Sequence, residues 1–216
     1  DGSCERLYHS RPFDHSPERN TPLARNLLFI TTDQQRWDSL PCYGLDFMRT
    51  PNLDRLAAEG MVFDHCIVPS PVCVPCRAAI MSGQYPATTG VLGNGHWLPE
   101  TVPTWPALIG QNRRTAAIGK MHFNPWDDPG GFQERIIAED KRHVYLPDDH
   151  VQFLRSHGLE RFHPTEKPRY FENLGASVTP REKRFHIDAF VGDQAAGWLE
   201  KNGRDPFAAW VSFPGP

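Results

Sequence analysis

The run Asn26-Leu-Leu-Phe-Ile-Thr-Thr32 constrains the fold more than any other stretch, because it is apolar and β-branched without alternation. A strand with one wet face alternates apolar and polar side chains. An unbroken run instead fits a strand covered on both faces, as in a parallel sheet. Met61–Cys66, Thr115–Gly119 and Pro206–Phe213 read as further strands. Helix signals lie between them. Thr50 can cap a helix, Pro51 suits its first position, and Gly60 suits its end, while Leu53, Leu56 and Ala57 form one apolar stripe. Cys76–Gly83, Thr104–Asn112, Asp148–His157 and Arg181–Asn202 read as further helices; the last carries Phe185, Ala189, Val191, Ala195, Trp198 and Leu199 at mixed helical spacing. Strands alternating with helices imply an α/β fold with a mostly parallel central sheet flanked by helices.

Residues 1–25 are polar and punctuated by proline, which predicts an extended arm before the folded part, residues 26–216. No internal repeat is visible. The net charge of −3 gives no basic excess for nucleic acid and no acidic block. The 21 prolines are dispersed in turn-like contexts, so the chain reads as loop-rich. No run approaches the roughly 18 apolar residues of a membrane span, and no leader of charged then apolar residues opens the sequence. That leaves localisation open between cytoplasm and periplasm. The five cysteines, Cys4, Cys42, Cys66, Cys73 and Cys76, are odd in number and irregularly spaced, a poor disulfide framework, so most are expected reduced.

The stretch Ser70-Pro-Val-Cys73-Val-Pro75-Cys76-Arg77-Ala-Ala-Ile-Met-Ser82-Gly83 carries the chemistry. Cys73 is expected just before a helix beginning near Pro75 or Cys76. A helix N-terminus offers free N–H groups and partial positive charge, which stabilise an anion and activate a thiol. Arg77, four residues on and about one turn away, adds a permanent fork-shaped donor. A reactive group at an anion-binding helix end suits sulfuryl or phosphoryl chemistry.

Cys73-Val-Pro75-Cys-Arg77 fits the signature Cys-x-Pro-x-Arg, and the chain resembles the formylglycine-dependent (type I) sulfatases of the alkaline phosphatase superfamily. Leu27–Asp38 resembles their first strand and its metal-binding end, Pro51–Ala57 the following helix, Met81–Pro86 the end of the nucleophile helix, and Gly119-Lys120-Met121-His122 their Gly-Lys-x-His stretch. The likeness covers residues 26–125 well, weakens, and returns at Trp210–Pro216. It implies a sulfatase that hydrolyses a small-molecule sulfate ester. Cys73 would be oxidised to formylglycine by a formylglycine-generating enzyme, and the aldehyde hydrate would be the nucleophile. Asp33, Gln34 and the group at Cys73 would hold a divalent metal, Ca²⁺ with Mn²⁺ as the alternative. Arg77 would hold the hydrate, Lys120 would reach sulfate and nucleophile, and His122 would be the base for the elimination. Asn94, in Gly93-Asn94-Gly95-His96, would donate to substrate. Three ligands undersupply a calcium ion, which takes about 6–8 oxygens. The fold is therefore expected to be incomplete in this chain, with the remainder of the catalytic domain as its partner.

Gln34 is a departure, because many sulfatases have a second Asp there; phosphonate monoester hydrolases of the superfamily share Gln, which makes phosphonate or phosphodiester hydrolysis the nearest alternative. From another class, Cys73 and Cys76 form Cys-x-x-Cys, a redox pair or half a zinc site. A binding protein with an unmodified Cys73 is a third reading. Taken singly, Asp33 could be a turn residue, Arg77 a surface residue, and Lys120 and His122 solvated groups. Cys76 reads as packing. Trp97, Trp105 and Trp126 read as core or loop lining. His65, His96, His143, His150 and His163 read as surface or loop residues, and Asp127-Asp128 and Asp148-Asp149 as loop or helix-start carboxylates.

Overall fold

The computed structural model describes residues 26–45, 47–139, 145–166, 168–175, 178–179 and 181–215. The expected arm at 1–25, Cys4, His143 and Pro216 lie outside the described residues. Four strands form one sheet in the order β1-β4-β2-β3: β1 is Leu27–Thr32, β2 Arg114–Gly119, β3 Glu134–Ile137 and β4 Phe207–Phe213. All three pairings are parallel. The helices are α1 (Pro51–Glu59), α2 (Cys73–Ser82), α3 (Pro86–Thr89), α4 (Trp105–Ile109), α5 (Asp149–Ser156) and α6 (Ile187–Asn202).

Period-2 alternation in β2 and β4 divides two cores. On one face Ala116, Ile118, Phe207, Ala209 and Val211 pack with Phe190, Val191, Ala195 and Trp198 of α6. On the other, Ala117 and Trp210 pack with Val74, Ala78 and Met81 of α2. Trp97 stacks near Phe123 and Trp105 meets Phe132 edge-on, so both fill the core as expected.

Four sequence readings need correction. Met61–Cys66 forms no strand; Met61 and Phe63 are exposed, and among the described residues no neighbouring strand offers the ladder partners a strand requires. β1 is covered on one face only. Phe29 packs on Trp210 and Thr31 accepts from its indole N–H, but Leu28 and Ile30 stand open among the described residues. The last long helix begins at Ile187, because a short 3-10 turn at Lys183–Phe185 ends at His186, whose extended backbone and ring nitrogen cap α6. His150 is buried in α5, where its Nε2 lies 3.2 Å from the Phe185 carbonyl. β3 and α3 had no sequence signal beyond short apolar or Pro-Ala stretches.

Parallel pairing puts the C-terminal ends of β1, β4 and β2 on one edge, where open α/β sheets bind ligands. Thr32 pairs with Phe213 and Gly119 with Ser212. The next residues continue the ladder: Asp33 N–H donates to the Phe213 carbonyl (3.1 Å) and Lys120 N–H to the Ser212 carbonyl (2.9 Å). Asp33 and Lys120 thus flank the end of β4. Gly119 makes the approach possible. Its φ is +100°, and a Cβ there would lie 2.0 Å from the Ser212 carbonyl oxygen.

Candidate active site

Helix α2 begins at Cys73, earlier than the sequence suggested. Val72 is its N-cap and accepts the Cys76 N–H at 3.1 Å. Pro75 does not delay the start, because a residue in the first turn has no intrahelical use for an N–H. Cys73 is therefore the first helical residue, within the positive end of the helix. The Val74 N–H donates to the Asn94 side-chain oxygen at 3.2 Å, so the loop carrying Asn94 closes over the helix start.

Cys73 Sγ lies 3.8 Å from Asp33 Oδ1 and 3.7 Å from Lys120 Nζ. The other carboxylate oxygen, Asp33 Oδ2, receives Lys120 Nζ and Arg77 Nη2, each at 3.1 Å. Arg77 Nη1 also donates to the Lys120 carbonyl (2.5 Å) and Ser212 Oγ (2.9 Å), and its guanidinium lies over Trp210, 5.5 Å from the ring. The fork thus ties α2 to the ends of β1, β2 and β4. Lys120 is wholly buried, and Arg77 and Asp33 nearly so. Burial alone would raise the Asp33 carboxyl; Lys120 and Arg77 outweigh it and hold the group below the ordinary carboxylate range. Two buried cations thus converge on Asp33 beside Cys73.

Gln34 lines the same pocket as Asp33, Cys73 and Arg77 and is exposed. His122 faces an adjoining cavity of about 510 Å³ with Asn94, Phe123, Trp126, Glu139 and Tyr145. Gln34 (φ 59°) and His122 (φ 57°) both adopt the left-handed backbone. Such conformations cost about 1–2 kcal/mol for residues other than glycine and gather at working sites. Of the residues singled out from the sequence, Asp33, Gln34, Cys73 and Arg77 line the first hollow and Asn94 and His122 the second, while Lys120 lines neither and lies buried against Asp33 and Cys73.

Three participants escaped the sequence reading. Ser212 and Trp210 seat Arg77; the likeness at Trp210–Pro216 pointed to the segment but gave neither a role. Glu139, 1% exposed, accepts from the Met121 and His122 N–H groups; its only signal was an acid ending the apolar run Ile136-Ile-Ala138. Burial raises its carboxyl above the usual range, against the pull of those bonds and of Arg77 and Lys120.

For a divalent cation, Asp33 and Gln34, which line one pocket with Cys73, offer side-chain oxygens. They do not complete a site, since hard cations take about six or more oxygens. Among the described residues, no group of three His, Cys, Asp or Glu is close enough to hold a metal ion. Burial pushes the Cys76 thiol up, unlike a reactive redox cysteine. No helix among the described residues is long and apolar enough to cross a membrane.

Comparison with known proteins agrees with this arrangement. The chain is 32% identical over 203 residues to an ulvan-active sulfatase of Formosa agariphila, covering 92% of this chain and 37% of that one. It is 36% identical over 204 residues to a choline-sulfatase of Rhizobium meliloti, covering 88% and 38% respectively. The chain thus spans little more than a third of the length of these relatives. Among solved structures, a protein in complex with its substrate D-glucosamine-2-N,6-O-disulfate superposes with a TM-score of 0.64 at 25% identity, covering 88% of this chain and 34% of that one. A phosphonate monoester hydrolase of Agrobacterium radiobacter superposes with a TM-score of 0.66 at 25% identity, covering 87% and 40%. The fold is that of the alkaline phosphatase superfamily, and with the Sulfatase family pattern matching residues 25–216, the chain belongs to the sulfatase family.

Proposed function

We propose that the complete polypeptide hydrolyses a sulfate ester to an alcohol and inorganic sulfate, with the group at position 73 as nucleophile. One observation carries this reading: Cys73 sits at the positive end of α2, in reach of both Asp33 and the buried Lys120. A helix N-terminus and a lysine beside a reactive group suit an anionic ester, and a low-dielectric surrounding strengthens that attraction.

Sulfatases generally depend on formylglycine and a divalent metal. In this reading Cys73 is oxidised by a formylglycine-generating enzyme, and the hydrated aldehyde supplies a hydroxyl to attack and a second to drive release. Asp33, Gln34 and position 73 hold the cation, Ca²⁺ or Mn²⁺, which when bound lowers the pKa of a nearby hydroxyl. The missing ligands come from the remainder of the polypeptide, which also covers the open face of β1. Lys120 supplies a fixed positive charge to the sulfate oxygens and the nucleophile. Arg77 fixes the carboxylate edge of Asp33 and the end of β2. His122 takes the proton whose loss frees sulfate, a transfer that an imidazole ring nitrogen can accept. Asn94 seals the start of α2 and donates to the substrate, and the cavity it shares with His122 receives the alcohol.

Gln34 and the overlap with a phosphonate monoester hydrolase favour a second reading, cleavage of a phosphonate or phosphate diester at the same site. Steady-state turnover separates the two, using the complete polypeptide from cells that contain the maturing enzyme. An aryl sulfate is expected to exceed a phosphonate monoester by about tenfold or more in kcat/KM. The reverse order installs the second reading, and turnover of neither removes both.

A further inference from the structure

We propose that Glu139 is a positioning residue that holds His122 in its working orientation, acting through the backbone of the turn after β2. The inference rests on the reading of His122 as a working group and extends it to a residue outside the sequence motif. Pairing of β3 with β2 places Gly119 beside Ile137, and the Ala138 N–H donates to the Gly119 carbonyl at 3.1 Å. Glu139 therefore runs alongside the Lys120–His122 turn. Its Oε1 accepts two consecutive N–H groups, from Met121 at 3.2 Å and His122 at 2.8 Å. A turn that leaves His122 at φ 57° cannot satisfy those two donors within a regular ladder. Without an acceptor, the buried Met121 donor and the part-buried His122 donor would lose their partner and the left-handed backbone its support. A change of backbone at His122 would swing its ring within the cavity.

Glu139 is itself held from behind. Its N–H donates to Asp148 Oδ2 at 2.7 Å, and Asp148 Oδ1 accepts from Val151 N–H at 2.9 Å, capping α5. Arg161 pairs with the same Asp148 at 2.8 Å, both side chains being buried. A continuous set of anchors thus runs from α5 to His122. Glu139 Oε2 is buried with no hydrogen-bond partner among the described residues, so the anchoring seen there uses one oxygen only. That asymmetry distinguishes this role from an ion pair: a glutamine keeps the accepting oxygen and should serve, whereas an alanine should not.

The test uses the complete polypeptide with E139Q, E139A, H122A and the E139A/H122A double variant. E139A is expected to lower kcat roughly 10- to 100-fold with little change in KM, the scale of loss for a misplaced catalytic group. E139Q is expected to recover most of that rate. The double variant should be no slower than H122A, because a group acting through His122 has nothing left to position. Hydrogen exchange gives a readout independent of turnover: the Met121 and His122 amides should exchange faster in E139A and stay protected in E139Q. If E139A does not fold, E139D, one methylene short, takes its place with the same expectations. Losses that multiply in the double variant, an E139Q as slow as E139A, or unchanged amide exchange would each overturn the proposal. A wild-type polypeptide without sulfate ester turnover would remove the sulfatase reading instead, while amide exchange would still judge the anchor.

Discussion

Asp33 divides its two oxygens between different partners: Oδ2 receives Lys120 and Arg77, and Oδ1 faces Cys73. Such a buried cluster is weak evidence for stability as such, since desolvation offsets much of the attraction. Removing one partner is different, because it strands the others. Arg77→Ala is expected to cost about 3–5 kcal/mol, read by chemical denaturation, since it unpairs Asp33 in part and empties the space over Trp210. Arg77→Lys keeps the charge but not the fork that joins Asp33, the Lys120 carbonyl and Ser212. It should fold and lose about 10²-fold in kcat/KM on an aryl sulfate. Near-wild-type rates for Arg77→Lys would mean that charge alone matters there. Asp33 and Arg77 were legible in the sequence only through the motif that contains Cys73. A single acid at a strand end carries no such information, and Ser212 and Glu139 act through contacts that bridge distant parts of the chain.

At the scale of elements, the site depends on three parallel strand ends meeting at one edge, and Gly119 is the tightest point of that meeting. Gly119→Ala combines a positive φ with a Cβ forced onto the Ser212 carbonyl, and a loss of at least about 2 kcal/mol in unfolding free energy is expected. A wild-type denaturation midpoint would contradict the described register. Helix α5 offers a pH test. Burial, followed by the nearby charge of Arg161, lowers His150 from 6.5 to about 4. The unfolded chain then binds the proton more readily between those values, so stability is fully present above about pH 6.5 and falls as pH drops toward 4. The contribution is about 3 kcal/mol, and His150→Leu should flatten that part of a stability-against-pH curve. A parallel curve in the variant would contradict the assignment. β1, β2, β4 and the helices other than α3 announced themselves through unbroken apolar runs, caps and periodicity. β3 did not, being four residues long, and the false strand at Met61–Cys66 shows that an apolar run without a partner strand specifies nothing.

The molecule as a whole presents two contrasting sides. The sheet edge carrying Asp33 and Lys120, with Cys73 of α2 set against it, is assembled from residues far apart in sequence and largely buried, whereas β1 and α1 show Leu28, Ile30, Leu53 and Leu56 to the outside among the described residues. A parallel fold was readable from element order, but which faces are covered was not, because coverage depends on tertiary neighbours. The claim on which the functional account turns is that the side chain at position 73 works as an aldehyde hydrate and not as a thiol. Its most direct test is the mass of the peptide spanning residue 73, taken from a preparation of the complete polypeptide that is actively hydrolysing a sulfate ester and has been treated with a thiol alkylating reagent. The account predicts a peptide lighter than the cysteine form, with sulfur replaced by a carbonyl oxygen and no alkyl group at residue 73. A fully alkylated Cys73 in a preparation that had been turning over at its full rate before labelling would contradict it.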